Sequence, residues 1–387
     1  MENDMNKKIS FWRMLSLILA IVLVATLIFN FKFATNNSKN VNVLSSEQTT
    51  NVAASETGAK EEVNAVDELS LWTDTAKLKT ELKDYMKAIT NENSSDFIPV
   101  KNRIAVFDFD GTLFCETDPV YFDYRMFYHH VMEDENYKDK ASAVEKETAE
   151  KIKTMMEEGV SAKGLELDHG RGVASSFKGM TIDEFSDYVR YFKSKPMPSY
   201  EGMTNGEAYY KPMLQVINFL QKNDFTVYII SGTDRLILRP AVEGVINIPN
   251  SQIIGSDESF VATNQNGEDG LTYQFKKSDK VILGGDFIIK NLKMNKVAVI
   301  EKEIGEQPVL SFGNSSGDYS MANFTITNNK YKSAAFMLCC DDLERENGNI
   351  EKADSMYKAC AENGWTPVSM KNDWTTIYGE GVVKKSK

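Results

Sequence analysis

The chain has 387 residues, and its 56 acidic side chains outnumber 44 basic ones to leave a net charge of −12. This excludes nucleic acid as a partner, because a phosphate backbone demands a basic face. Four cysteines are too few for a disulfide scaffold; export would permit a bridge from Cys339 or Cys340 to Cys360, and free, buried thiols are the equal alternative.

Lys7, Lys8 and Arg13 precede an uncharged run from Met14 to Phe31. As a helix this run spans roughly 27 Å, close to the thickness of a bilayer core. Residues 1–33 therefore read as a membrane signal-anchor or signal peptide. The positive flank predicts a cytoplasmic N-terminus and a catalytic domain outside the cytoplasm, anchored or secreted. Residues 34–66 are rich in Asn, Ser, Thr and Glu and lack the large apolar groups a core needs, so they read as a flexible linker. Order is expected from residue 67 to 387. Leu78, Leu82, Tyr85, Met86 and Ile89 fall on one face of a helix there.

Ile104 to Phe107 is an apolar run without alternation, as suits a strand buried on both faces of a parallel sheet. It delivers Asp108-Phe-Asp110-Gly-Thr112. Residues i and i+2 leaving a strand project to the same side, so both carboxylates can face one reacting group while Gly111 turns the chain. An EF-hand loop is excluded, since its sixth position would be Leu113 and its twelfth Pro119. The two carboxylates point to phosphoryl transfer, one attacking and the other moving protons.

About a hundred residues separate this motif from the next strand, far more than an ordinary connection. The insert, about 116–210, is mostly helical in pattern and is expected to form a cap. Ala141–Glu158 is charged and helical in composition, and Thr181-Ile-Asp-Glu184 is a capping box opening a stretch with Phe185, Tyr188, Val189 and Phe192 on one face. The cluster Tyr121, Phe122, Tyr124, Phe127 and Tyr128 could pack as core or cage a quaternary ammonium. Arg125 and Arg171 could grip a carboxylate. His129, His130 and His169 make no metal pattern and read as structural.

A second apolar run, Phe225 to Ile230, leads into Ser231-Gly232-Thr233-Asp234 and then a helical Arg235 to Leu238. A hydroxyl and free amides at a helix start make an anion cradle. Asn295 could cap a short helix, stopped by Gly305, that carries Lys296 in its first turn, where the macrodipole disfavours a cation. A third run, Pro308 to Phe312, delivers Gly313-Asn314-Ser315-Ser316-Gly317-Asp318, whose oxygen side chains suit a hard cation. Trp365 to Tyr378 is aromatic and turn-rich and is expected to close the far edge of the sheet.

Taken in order, Asp108-Phe-Asp110-Gly-Thr112, Ser231, Lys296 and Gly313-Asn-Ser-Ser-Gly-Asp318 resemble the four-motif signature of the haloacid dehalogenase superfamily, most of all its phosphoserine phosphatase-like branch. The resemblance covers roughly residues 67–387. It implies an α/β fold, a doubly wound, mostly parallel, Rossmann-like sheet with a helical cap inserted after the first catalytic strand. It implies Asp108 as nucleophile, Asp110 as acid and base, and Thr112, Ser231, Gly232 and Lys296 around the phosphate. Mg2+ would sit on Asp108, Asp110, Asn314 and Asp318. The substrate class it implies is a small phosphate monoester, phosphoserine-like. A phosphocholine-type substrate is the alternative that the aromatic cluster raises.

One departure stands out. The signature's fourth motif usually opens Gly-Asp, whereas this chain has Asn314. The loss of a negative charge weakens the metal site and raises a second alternative, a protein that binds phosphorylated ligands without turning them over. Glu116 lies one residue off the position at which related phosphatases carry a carboxylate toward a substrate ammonium.

Overall fold

The computed structural model describes residues 68–385. The expected membrane segment, 1–33, and linker, 34–66, lie outside them. Among the described residues, no helix is long and apolar enough to cross a membrane.

Helix α1 (Lys77–Thr90) buries the five apolar residues of its expected face. Strand β1 (Ile104–Phe107) is buried at every position. The insert after it folds as α2 (Phe122–Tyr128), a wider turn over His129–Glu133, α3 (Ala143–Glu158), α4 (Leu165–Ser176) and α5 (Ile182–Lys193). Reciprocal boxes, Ser142 with Glu145 and Thr181 with Glu184, satisfy the free amides at the starts of α3 and α5. The short β2 (Tyr200–Glu201) ends the insert, and the chain then alternates. In order come α6 (Lys211–Lys222), β3 (Thr226–Asp234), α7 (Arg235–Val242), β4 (Ile253–Ala262), β5 (Val281–Ile289) and α8 (Met294–Val299). They are followed by β6 (Leu310–Gly313), α9 (Tyr319–Ile326), β7 (Ala334–Cys339), α10 (Ile350–Asn363), β8 (Thr366–Ser369) and β9 (Val383–Lys384).

Seven strands form one sheet in the order β5-β4-β3-β1-β6-β7-β8, all neighbours parallel except the β4–β5 pair. The chain runs outward from β1 through β3 to β5, then returns to the other side of β1. This reversal opens a crevice at the carboxyl ends of β1, β3 and β6, where open α/β sheets bind ligands. The sheet is the expected doubly wound α/β type. β8 forms its far edge as anticipated, with Trp374 buried against Trp72 and Tyr210.

Sheet and insert share one apolar cluster. Phe107 stacks on Phe312 at 4.2 Å within the sheet. Phe114 carries the contact to Phe122 on α2, which packs on Phe192 of α5. Two details differ from the sequence reading. β3 stays extended through Asp234, and Asp234 caps α7 by accepting from the Leu236 amide at 2.7 Å. The helix with Lys296 opens at Met294 behind Lys293, whose φ is +57°, and the Asn295 side-chain Nδ2 donates back to the Lys290 carbonyl. Of the two cysteine alternatives, the structure has free thiols: all four are unbridged.

Candidate active site

Asp108 leaves β1 with its amide donating to the Phe312 carbonyl of β6 at 2.9 Å, which fixes the first carboxylate over the switch point. The next turn closes on itself, with the Gly111 amide donating to the Phe114 carbonyl at 2.7 Å. Gly111 has φ +79°, and a Cβ there would stand 1.9 Å from the Asn314 amide nitrogen. Glycine is required at this position for both reasons. Thr112, wholly buried, points its hydroxyl toward the Asn314 side-chain oxygen at 3.4 Å, tying the first motif to the fourth beneath the site.

Asp108, Asp110, Ser231, Gly232, Ser315 and Asp318 line one cavity of about 130 Å³. Lys296 lies behind its wall with no exposed surface, 2.5 Å from Asp108 Oδ1 and 2.6 Å from Asp318 Oδ1. Burial works against its charge, but the two carboxylates overcome this and hold its pKa above the ordinary lysine value. This resolves the oddity of a lysine at a helix start, since α8 aims it at two anions instead of solvent.

Asp318 has both oxygens engaged by the protein. Its Oδ1 is taken by Lys296, and its Oδ2 accepts from the Asn314 and Ser315 amides, both at 3.0 Å, and from the Ser315 hydroxyl at 3.2 Å. A carboxylate so engaged orients the lysine and the loop instead of offering a lone pair to a cation. The expected ligand set narrows to Asp108, the Asp110 backbone carbonyl and the Asn314 amide oxygen. A carboxylate, a backbone carbonyl and an amide oxygen are the hard donor types that Mg2+ takes, along with several waters of its own. Among the described residues, no cluster of three His, Cys, Asp or Glu could hold a metal ion.

Asp110 differs electrostatically from Asp108. Burial first, then the charges of Asp123 and Asp108, push its pKa well above the ordinary carboxylate value. A carboxyl that keeps its proton suits a leaving-group acid. Burial and Asp318 likewise push Asp108 up to about 7 against the pull of Lys296, in the absence of a cation. A divalent ion on that carboxylate would favour its ionised form.

Several residues went unnoticed in the sequence. The Thr233 hydroxyl stands 2.7 Å from Asp110 Oδ2 and 3.4 Å from Asp123 Oδ2, bridging the acid to a buried carboxylate of α2. Asn291 donates to the Ser231 carbonyl at 3.1 Å, and Ser256 to the Gly232 carbonyl at 2.6 Å, fixing the backbone of the cradle. Tyr121, Asp123 and Tyr124 of the insert, with Glu166 of α4 and Lys290 after β5, also line the cavity. Only the aromatic cluster around residue 121 hinted at this wall, and of it Phe122 and Phe127 are core. Glu116 lines the cavity too, paired with Lys352 of α10 at 2.5 Å through Oε2.

Arg125 and Arg171 lie outside the cavity. Arg125 donates to Asn205 and stacks over Phe192, while Arg171 is exposed beside Asp168. His130 is sandwiched between Tyr137 and Phe177, His169 packs on Tyr124, and His129 meets the Tyr188 hydroxyl at 2.7 Å, all structural contacts.

No family model and no curated protein matches this chain. Solved structures do. A protein of unknown function from Anaerococcus prevotii is 14% identical, with a TM-score of 0.46, over 75% of this chain and 91% of that one. Cytosolic 5'-nucleotidase IIIB bound to cytidine is 11% identical, with a TM-score of 0.46, over 79% and 90%. A phosphoserine phosphohydrolase-like protein from Francisella tularensis is 15% identical, with a TM-score of 0.34, over 66% and 99%.

Proposed function

We propose that the chain is a Mg2+-dependent phosphomonoester hydrolase of the haloacid dehalogenase type, acting on small phosphorylated metabolites through an aspartyl phosphate. The observation that carries this reading is Lys296, buried and charged between Asp108 and Asp318, at the wall of the cavity that Asp108 shares with Asp110 and Ser231. A structural ion pair has no need of a second carboxylic acid and a hydroxyl converging on the same space.

In the first step an Asp108 oxygen attacks phosphorus, forming a new P–O bond as the bond to the leaving oxygen breaks. Asp110 gives its proton to that oxygen, releasing an alcohol. In the second step a water attacks the acyl phosphate and returns a proton to Asp110, and the P–O bond to Asp108 breaks to free phosphate. Ser231 and the Gly232 amide hold the non-transferring oxygens through both steps, while Lys296, behind the wall, offsets the charge that gathers on Asp108. When bound on Asp108, Asp110 and Asn314, Mg2+ would supply charge neutralisation for the phosphoryl group. The size of the cavity supports a small leaving group.

The test is hydrolysis of p-nitrophenyl phosphate with Mg2+ and with a chelator. Turnover that the chelator abolishes is expected. Asp108→Asn should lower kcat by about a thousandfold or more, and surviving activity removes Asp108 as nucleophile. The binding-only alternative, motivated by Asn314, expects phosphate affinity without turnover in the same assay. As a second proposal, the apolar segment 1–33 anchors or exports the domain. Fractionation that recovers the intact domain in the cytosol would overturn it.

A further inference from the structure

A second cavity, of about 430 Å³, lies between α5 of the insert, α7 and residues 243–253 leading into β4, and it shares no lining residue with the Asp108 cavity. Its charges are unequal. Two guanidiniums, Arg190 and Arg239, line it against the single carboxylate of Glu243, which leaves one positive charge in a chain whose net charge is −12. Arg190 is held by Glu243 and Asp187, both at 2.8 Å. Arg239 is not held. Half-buried, it has no side-chain hydrogen bond and no ion pair among the described residues, and its Nε is covered without a partner. Asp257 and Glu303, which attract it from further off, are bound to Arg235 at 3.2 and 2.8 Å, and Asp234 caps α7. Burial, and then the repulsion of Arg235, hold the Arg239 pKa below the ordinary arginine value. A guanidinium carries five donors in a planar fork, and leaving it uncompensated at the wall of a cavity is costly unless an anion arrives from outside.

We propose that this cavity is a binding site for a small organic carboxylate, its head on the Arg239 guanidinium and its body across the junction of insert and core. The planar fork matches a carboxylate bidentately. One negative charge balances the single excess charge of the lining, where a phosphate dianion would overshoot it beside Glu243. Elsewhere in the lining, the Ser186 hydroxyl of α5 and the side-chain amides of Asn247 and Asn250 have no hydrogen-bond partners among the described residues, so polar groups stand ready for the rest of the ligand. Leu236, Val242, Ile246 and Ile253, all buried, supply the apolar surface. The volume suits a molecule of metabolite size, and one charge with a few polar groups on an apolar wall is the composition that ligand pockets share. The site is independent of the phosphatase reading. Its occupant would nevertheless touch both α5 of the insert and α7, which opens directly behind the Ser231 to Asp234 cradle.

The experiment titrates the full chain with benzoate and phenylacetate, and with the uncharged isosteres benzamide and phenylacetamide, by calorimetry or ligand-observed NMR. The acids are expected to bind about tenfold or more tighter than the amides. Arg239→Met should erase that difference. Val245 lines the cavity and is 38% exposed, so Val245→Glu adds a carboxylate there without disturbing the core. It should weaken the acids by a similar factor, which keeps the test valid if Arg239→Met misfolds. Asp108→Asn should leave acid binding unchanged, since the two cavities have separate linings. Acids and amides bound alike, no acid binding at about 10 mM, or a preference that survives Arg239→Met or Val245→Glu overturns the proposal. Acid binding lost with Asp108→Asn also overturns it, by seating the acids among the catalytic groups. Inorganic phosphate that displaces benzoate at a lower concentration than benzoate itself would make this a phosphate site and overturn the carboxylate assignment.

Discussion

Lys296 is the residue on which stability and chemistry meet. Removing its ammonium leaves Asp108 and Asp318, both buried, facing each other without a counter-charge. Breaking a buried ion pair from one side costs about 3–5 kcal/mol. Lys296→Met should lower unfolding free energy by that order in urea titration and reduce kcat by about a hundredfold or more. A variant as stable and as active as the parent would mean the pair is incidental. Asp108, Asp110, Ser231 and Lys296 were legible from sequence because each follows an apolar run or opens a helix at a spacing that the sheet itself dictates. Asp123, Glu166 and Lys290 were not. They reach the same cavity from separate helices and a hairpin, and no local pattern encodes how those elements lie over the sheet. Asp318 was legible as a site residue, but spacing cannot tell a cation ligand from a partner of Lys296.

At the level of elements, the helices were more readable than the strands. The face of α1 and the capping box of α5 follow directly from periodicity and from the Thr-x-x-Glu pattern. Thr181 accepts from the Glu184 amide at 3.2 Å, and Glu184 accepts in return from the Thr181 amide at 2.8 Å. Thr181→Ala should cost about 1 kcal/mol, seen as a fall of a few degrees in Tm, with kcat unchanged because α5 packs behind the cavity wall. An unchanged Tm would show that packing of Phe185, Val189 and Phe192 alone holds the helix. The antiparallel pair β4 and β5 went unread. Gly255, Ser256, Asp257 and Glu258 interrupt its apolar run, and the pairing shifts register twice, so neither alternation nor continuity is visible. β3 ran longer than its apolar core because the polar Ser231 to Asp234 stays extended to present side chains to the site.

For the whole molecule, the placement of charge predicts a pH dependence. Glu346 is 3% exposed and accepts from Tyr378, from Tyr200 at 3.3 Å and from the Asn347 amide at 2.9 Å. Burial outweighs these bonds and raises its pKa from 4.5 to about 7. A raised carboxyl pKa means that the fold prefers the protonated form. Its contribution is complete below the unfolded value and is lost as pH rises through the folded one, on the order of 3 kcal/mol in all. Glu346→Gln should therefore flatten the decline of stability between about pH 5 and pH 8, measured by urea unfolding across that range. An identical slope in the variant would assign the effect elsewhere.

The pairing of Glu116 with Lys352 has a consequence in time. The two are separated by 236 positions, so a chain emerging from the ribosome exposes its nucleophile early and cannot seal that side of the chamber until its last helix is out. Until then Glu116 remains an uncompensated anion beside the reacting acids. A partial product ending before Lys352 would carry the catalytic strand and the cradle, yet leave the cleft breached and overcharged.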